Sequence, residues 1–194
     1  MTLSKEMLRE FCELAGAVGL LDLEDALVGQ AIKGNCDILR ALIAGGADVH
    51  ANDDLALREA ASAGQSESVR TLLAAGANVH ARQDEALRFA ARQGHADTLR
   101  VLLAADADVH VLNDRALVIA AHNTNAEAVE ALLEGGADGH AQGDLALRAA
   151  YGNDSKLGCL FGIRAQGFAE DELLRRQKTI GFLTEWLASH PSVP

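Results

Sequence analysis

The chain has 194 residues, enough for one ordinary domain and short for two. Its 49% apolar content can fill a core, while only 4% aromatic residues, with Ala and Leu supplying most of the apolar mass, favours packed helices over a β-sandwich. The formal net charge of -11 repels phosphate backbones and anionic membrane surfaces, which argues against nucleic acid and membrane as partners; it would steer in a basic protein surface or serve solubility.

In chain order, the segment from Ser4 to Ala15 predicts one helix, with Leu8, Phe11 and Leu14 on its apolar side and Lys5, Glu6, Arg9 and Glu10 on the other. The start lacks a basic segment ahead of a long apolar run, so no secretory signal is expected, and Leu14 to Leu23 is too short to cross a bilayer. A first unit opens at Glu24-Asp25-Ala26-Leu27, with Ala31, Gly34, Leu39, Leu42, Ile43 and Gly46 in register with the copies after it.

The next stretch repeats itself. Ala47-Asp48-Val49-His50-Ala51 recurs as Ala77-Asn78-Val79-His80-Ala81, Ala107-Asp108-Val109-His110-Val111 and Ala137-Asp138-Gly139-His140-Ala141, a step of 30 residues each time. Asp54-x-Ala56-Leu57 recurs in the same phase at Asp84, Asp114 and Asp144. Each unit reads as two helices joined by a turn: Asp54 caps the first, Gly64 ends it, and Val69, Leu72 and Leu73 line a second that stops at Gly76. A short extended finger, Asn78-Val79-His80-Ala81, leads to the next Asp. Such a unit cannot bury its apolar face alone, so neighbours must stack into a solenoid.

Departures from the repeat carry expectations of their own. Asp106 stands where a capping Gly belongs and tolerates the left-handed conformation at some cost. Thr124 replaces the inter-helix Gly, and a β-branched residue should be strained there, so Asn123 or Asn125 is expected to take the turn instead. Gly139 removes the finger Val and Gly143 loosens the exit, which makes 139–143 the softest expected joint. Beyond Asp144 the copy drifts; with a two-residue deletion, Gly152, Leu157, Leu160 and Phe161 fall in register as its second helix. Glu170 to Ser189 predicts a capping helix with Leu173, Ile180, Leu183 and Leu187 on one side. Tyr151, Phe161, Phe168, Phe182 and Trp186 read as a lid over the last unit, with a second binding site as the other reading.

The string Ala-Leu-x-x-Ala-Ala-x-x-Gly-x-x-x-x-Val-x-x-Leu-Leu-x-x-Gly-Ala-Asp-Val-His-Ala resembles the ankyrin repeat, over roughly residues 24–150. The finger is about three residues shorter than the family pattern, Thr-Pro is absent, and Arg58, Arg88 and Arg148 occupy the place of the family's His. Similar short-finger arrays occur in bacterial and viral ankyrin proteins. The expected architecture is therefore all-α: an ankyrin-repeat solenoid of about five helix-turn-helix repeats with short fingers and helical caps, forming a single domain over 1–194. Its expected parts are an N-terminal cap at 1–23, repeats at 24–53, 54–83, 84–113 and 114–143, a divergent repeat at 144–168, and a capping helix at 169–194.

Candidate chemistry is thin. Cys12, Cys36 and Cys159 are odd in number and far apart, which suits reduced thiols better than disulfides or a zinc site. His50, His80, His110 and His140 form a ladder, but repeats stacked about 8–10 Å apart hold successive rings too far from one another for zinc, whose ligands sit at about 2.0–2.1 Å. Each His is expected to hydrogen-bond within its own finger. Carboxylates also form ladders in like environments, whereas acid/base catalysis needs unlike ones facing one cleft. No phosphate-binding loop or nucleophile elbow is present, so neither an enzyme nor a cofactor is expected.

With apolar positions committed to stacking, recognition falls to positions that vary between copies. At the fingers these include Asn52, Asp53, Arg82, Gln83, Leu112 and Asn113; late in the first helices they include Ser62, Arg92, Gln93, His122 and Asn123. Phe89 shares a further variable site with Glu59 and Ile119. The resemblance implies that such positions line the groove of the array and hold another protein; for each residue alone, a solvated surface position is the competing reading. The expected function is an adaptor or inhibitor binding one protein, as a monomer in the cytoplasm. Two alternatives stay open: an effector delivered into another cell, with a transport signal in 165–194, and a self-associating structural module.

Overall fold

A computed structural model describes residues 23–151 and 170–191; the N-terminal helix expected from Ser4, Cys12, Cys159, and the second helix expected around Leu157 to Phe161 lie outside them. The described residues form ten helices and no strand. They are α1 (Leu23–Lys33), α2 (Cys36–Ala44), α3 (Ala51–Ser62), α4 (Ser66–Ala74), α5 (Ala81–Gln93), α6 (Ala96–Leu103), α7 (Val111–His122), α8 (Ala126–Glu134), α9 (Ala141–Ala150) and α10 (Glu170–Ser189).

The helices pack in two rows. First helices touch first helices along α1, α3, α5, α7 and α9, and second helices touch along α2, α4, α6 and α8. The residues that make this possible recur with the sequence step: Leu27, Leu57, Leu87 and Leu117 are at most 1% exposed, and Ala31, Ala61, Ala91 and Ala121 are fully buried. Leu42, Leu72, Leu102 and Leu132 fill the same layer from the second row. Alanine on the first helices lets neighbouring backbones approach, and leucine on the second fills the remaining space. The last helix, α10, packs on α8 and α9 and places Leu183 in the core. It closes the end of the stack as a cap should.

Each second helix starts with an acidic residue in its first turn, Asp37, Glu67, Asp97 or Glu127, where the positive end of the helix dipole favours it. Each stops in a left-handed residue, Gly46, Gly76, Asp106 or Gly136. At Gly76 the Ala77 N–H reaches back to the Leu72 carbonyl and the Gly76 N–H to the Leu73 carbonyl, both at 3.0 Å, the bond pair that satisfies otherwise free carbonyls at a helix end. Asp106 closes its helix with the same two bonds at 3.1 Å.

The turns between paired helices use this motif again, and here one expectation is corrected. Thr124 itself takes the left-handed conformation with φ 59°, while Asn123 and Asn125 keep φ of -83° and -89°. The reason is the bond pattern: Asn125 N–H to the Ala120 carbonyl at 3.0 Å and Thr124 N–H to the Ala121 carbonyl at 3.1 Å require position 124, and no other, to turn left. At Gly64, the equivalent site two repeats earlier, a Cβ would also lie 2.6 Å from the His95 ring, so glycine is needed there for space as well as for φ.

The fingers differ most from the sequence reading. His80 has φ near -85° and ψ near 4°, and Arg82, Gln83 and Asp84 follow with φ of 51°, 60° and 51°. The finger is therefore a tight left-handed turn rather than an extended strand. Asn52–Asp54 and Leu112–Asp114 repeat it. Side-chain-bearing residues adopt this conformation at about 1–2 kcal/mol each, so something must hold the turns.

Candidate functional site

Two sets of side chains hold them. The guanidinium of Arg58, buried at 5% exposure, donates to the Asp53 carbonyl at 3.0 Å and the Asn52 carbonyl at 2.9 Å, and pairs with Glu85. Arg88 donates to the Gln83 and Arg82 carbonyls at 3.2 and 2.9 Å. Carbonyls that a left-handed turn aims away from any helix partner are thereby satisfied. This is what arginine does in the place of the family's His. In α7 that position is Val118, which has no donor to offer, and Leu112 on the finger is 45% exposed.

The second set runs from repeat to repeat. Asp54 was expected to cap its own helix. Instead, one of its carboxylate oxygens accepts His50 Nδ1 at 3.1 Å and the backbone N–H of Asn78 in the following finger at 2.7 Å. Asp84 binds His80 and the Asp108 N–H at 3.1 and 2.9 Å, and Asp114 binds His110 and the Asp138 N–H at the same distances. Glu24 fills the role for α1, accepting the Asp48 N–H at 3.3 Å. The carboxylate ladder is a seam between neighbours rather than a row of caps. Each His meets its own finger, as expected, because the ionised carboxylate is acceptor-only and draws an Nδ1–H toward it.

At the C-terminal end this seam meets the cap. A Cβ on Gly139 would lie 2.5 Å from the Trp186 ring, so the space left by the missing Val is filled by tryptophan. His140 Nδ1 lies 2.8 Å from Asp144 and Nε2 lies 2.7 Å from the His190 carbonyl. Acceptors at both nitrogens favour the cation, and the pKa is raised, first by the His190 carbonyl and then by Asp144. Trp186 also stacks on His190 at 4.4 Å between ring centroids. Lys178 on α10 pairs with Glu127 on α8; this hydrogen bond lowers the Glu127 pKa and raises that of Lys178. The 139–143 joint, expected to be soft, is clamped at its start by these contacts.

The candidate recognition residues are all exposed or half-buried, and they fall at two ends. Asn52, Asp53, Arg82, Gln83, Leu112 and Asn113 sit on the fingers and are exposed. Ser62, Arg92, Gln93, His122 and Asn123 sit at the far ends of the first helices, near the inter-helix turns. About nine residues of helix separate the ends, or roughly 13 Å at 1.5 Å per residue. Phe89, half-buried on α5, lies between them. At the turn end the structure brings Arg92, Gln93, His122 and Asn123 around one open hollow of about 550 Å³, with Thr124 and Asn125 as further lining. The backbone there is stitched: Asn123 Nδ2 donates to the Arg92 carbonyl at 2.8 Å and Asn125 Nδ2 to the same carbonyl at 3.2 Å.

The sequence reading missed Arg176. It comes from α10, read only as a cap, yet it lines the same hollow and donates to the Ala150 carbonyl at 3.2 Å. No local signal points to it, because a residue outside the repeat has no copies to compare. Arg58 and Arg88, which hold fingers, were visible in the sequence as part of a recurrence with Arg148, though without a role.

Comparison with known proteins agrees with the geometry. A family description of ankyrin repeats in three copies matches residues 27–113 and 87–160. The chain belongs to the ankyrin-repeat family, whose repeats are protein–protein interaction modules. A search of curated proteins returned no match. No described helix is long and apolar enough to cross a membrane.

Proposed function

We propose that the chain is an adaptor or inhibitor that holds one protein partner along the face made by its fingers and first-helix ends. The observation that carries this reading is the uneven treatment of the fingers. Two are clamped by arginine, whereas the one at Leu112–Asp114 lacks the clamp and presents a left-handed, 45% exposed leucine. Strain and exposed apolar surface at one point are the usual marks of a contact site. Half-buried Phe89 and exposed Arg82 on the preceding unit are residue types that dominate interface energies. A standard interface of about 1,200–2,000 Å² would span these units, and the net charge of -11 favours a partner with basic surface around the contact. The capped end agrees with a monomer, and a cytoplasmic setting with the thiol content.

The test is affinity capture from the native host with the whole chain and with a Phe89→Ala, Leu112→Ala variant as parallel baits. A partner retained by the first and at least tenfold depleted on the second supports the reading. Equal recovery on a variant of unchanged helicity refutes it.

A further inference from the structure

Arg58 and Arg88 hold equivalent places one repeat apart, and two of their three guanidinium nitrogens do the same work. Nε of Arg58 donates to the Asp53 carbonyl and Nη2 to the Asn52 carbonyl; Nε of Arg88 donates to the Gln83 carbonyl and Nη2 to the Arg82 carbonyl. The third nitrogen differs. Nη1 of Arg58 lies on the Glu85 carboxylate, which the first helix of the following unit supplies. Thirty residues on from Glu85 stands Arg115, and α5 packs on α7 as α3 packs on α5. The next copy of this junction therefore sets arginine where its forerunner has a carboxylate. Among the described residues, Nη1 of Arg88 has no partner and the Arg115 guanidinium has none. Arg58 is 5% exposed beneath its pair, whereas Arg88 is half-buried and Arg115 exposed. The acids of these fingers are engaged elsewhere: Glu85 by Arg58 and Arg82, Asp84 and Asp114 in the seam, and Asp108 by the His110 N–H. On a chain of net charge -11, where Arg40, Arg70 and Arg100 each reach an acid, two guanidinium groups without a counter-ion stand apart.

We infer that the junction of Arg88 and Arg115 is a socket for an aspartate or glutamate of the protein partner, whose carboxylate takes the place that Glu85 holds one repeat earlier. Such a carboxylate accepts from Nη1 of Arg88 and from the Arg115 guanidinium in charge-assisted hydrogen bonds, and it relieves the repulsion between two like charges. Arg88 is already fixed by its two carbonyl bonds, so little side-chain freedom is lost when the acid arrives. Phe89 follows Arg88 in the chain and exposed Leu112 lies three residues before Arg115, so the acid enters beside the apolar contacts of the same face. The inference rests on the proposed partner-binding face and adds the chemistry of one contact within it.

The experiment uses the full chain with fluorescein-labelled hexaglutamate and hexaglutamine, followed by fluorescence anisotropy at low ionic strength. Hexaglutamate is expected to bind at least tenfold more tightly than hexaglutamine, to lose at least fivefold in affinity with R115Q, and to lose at least tenfold with R115E, which supplies the acid from the chain itself. R100Q makes the same change of charge on the second-helix row and should leave affinity within twofold. R115E should also raise the melting temperature by roughly 1–3 °C, because it restores the arrangement of Arg58 and Glu85. Hexaglutamate bound no more tightly than hexaglutamine, or bound within twofold of the native chain by both variants at 115, overturns the inference. So does an R115E chain that melts below the native one, since Arg88 then accepts no acid from that side. A captured partner that depends on Phe89 and Leu112 but is held equally well by R115E removes this inference and leaves the adaptor reading standing.

Discussion

The Asp54 carboxylate accepts the backbone N–H of Asn78, 24 residues further along the chain, at 2.7 Å. With Asp84 to Asp108 and Asp114 to Asp138 it makes a polar seam along one edge of a stack whose interior is Leu and Ala. Because Asp84 is only 3% exposed, replacing it removes a buried acceptor shared by two donors, the His80 ring and the Asp108 N–H. Asp84→Ala should lower unfolding stability by about 2–4 kcal/mol, and Asp84→Asn by less, since an amide oxygen can still accept the Asp108 N–H. Urea denaturation followed by circular dichroism measures both. A loss under about 0.5 kcal/mol for the alanine variant would show that the seam does not fasten the repeats.

Thr124 holds a left-handed conformation that its counterparts Gly34, Gly64 and Gly94 adopt without strain. Thr124→Gly should therefore stabilise the chain by roughly 0.5–1 kcal/mol, the relief of strain less the added freedom of glycine in the unfolded chain. Thr124→Ala should give no such gain, because alanine keeps a Cβ. Paired thermal melts decide this, and a destabilised glycine variant would mean that the threonine side chain contributes more by packing than its backbone strain costs.

Restoring the repeat's own valine at 139 should do harm. The Trp186 ring occupies the space, with a built Cβ only 2.5 Å from it. Gly139→Val is expected to destabilise by about 1–3 kcal/mol through overpacking and to shift the tryptophan emission to longer wavelength as the ring is displaced. Unchanged emission and stability would show that the cap does not depend on this contact.

The same joint has a pH dependence of known sign. The folded-state pKa of His140 is raised above its ordinary 6.5, first by the His190 carbonyl and then by Asp144. A raised value means the cation is favoured by folding. Its contribution is full below about pH 6.5 and is lost as pH rises through the folded value. Asp138 adds to the same shift, and His190 stacks on Trp186 beside the ring. Stability measured from about pH 5.5 to 8.5 should fall more in the native chain than in His140→Gln, which keeps a donor but does not titrate. Identical slopes would show that His140 does not set the pH dependence.

Much of the fold was legible because it is periodic. Leu57, Leu87 and Leu117 fall in phase, and a phase shared by core leucines, capping glycines and finger histidines admits one stacking arrangement. What was not legible concerns the partner of each polar group. Asp54 sits at the start of a helix and carries the residue type of a cap, and only the structure shows its carboxylate bonded to Asn78 instead. The finger was read as extended; the left-handed turn that follows it recurs even at Leu112–Asp114, where no arginine clamps it, and nothing in the residue types of 82–84 or 112–114 announces it. At the candidate site the exposure of Arg82, Arg92 and Leu112 followed from their variation between copies, while Phe89 is half-buried. Their division between two ends of the first helices did not, and Arg176 reaches the hollow through a tertiary contact that no repeat pattern encodes.

The proposed binding face is probed most directly by hydrogen–deuterium exchange on the whole chain, alone and saturated with the captured partner. Added protection is expected at the fingers around 82–83 and 112–113 and at the first-helix ends around 89–93 and 119–123, with little change in α4, α6 and α8. Protection confined to those second helices, with the fingers and turn ends exchanging as before, would mean that the partner sits elsewhere on the array.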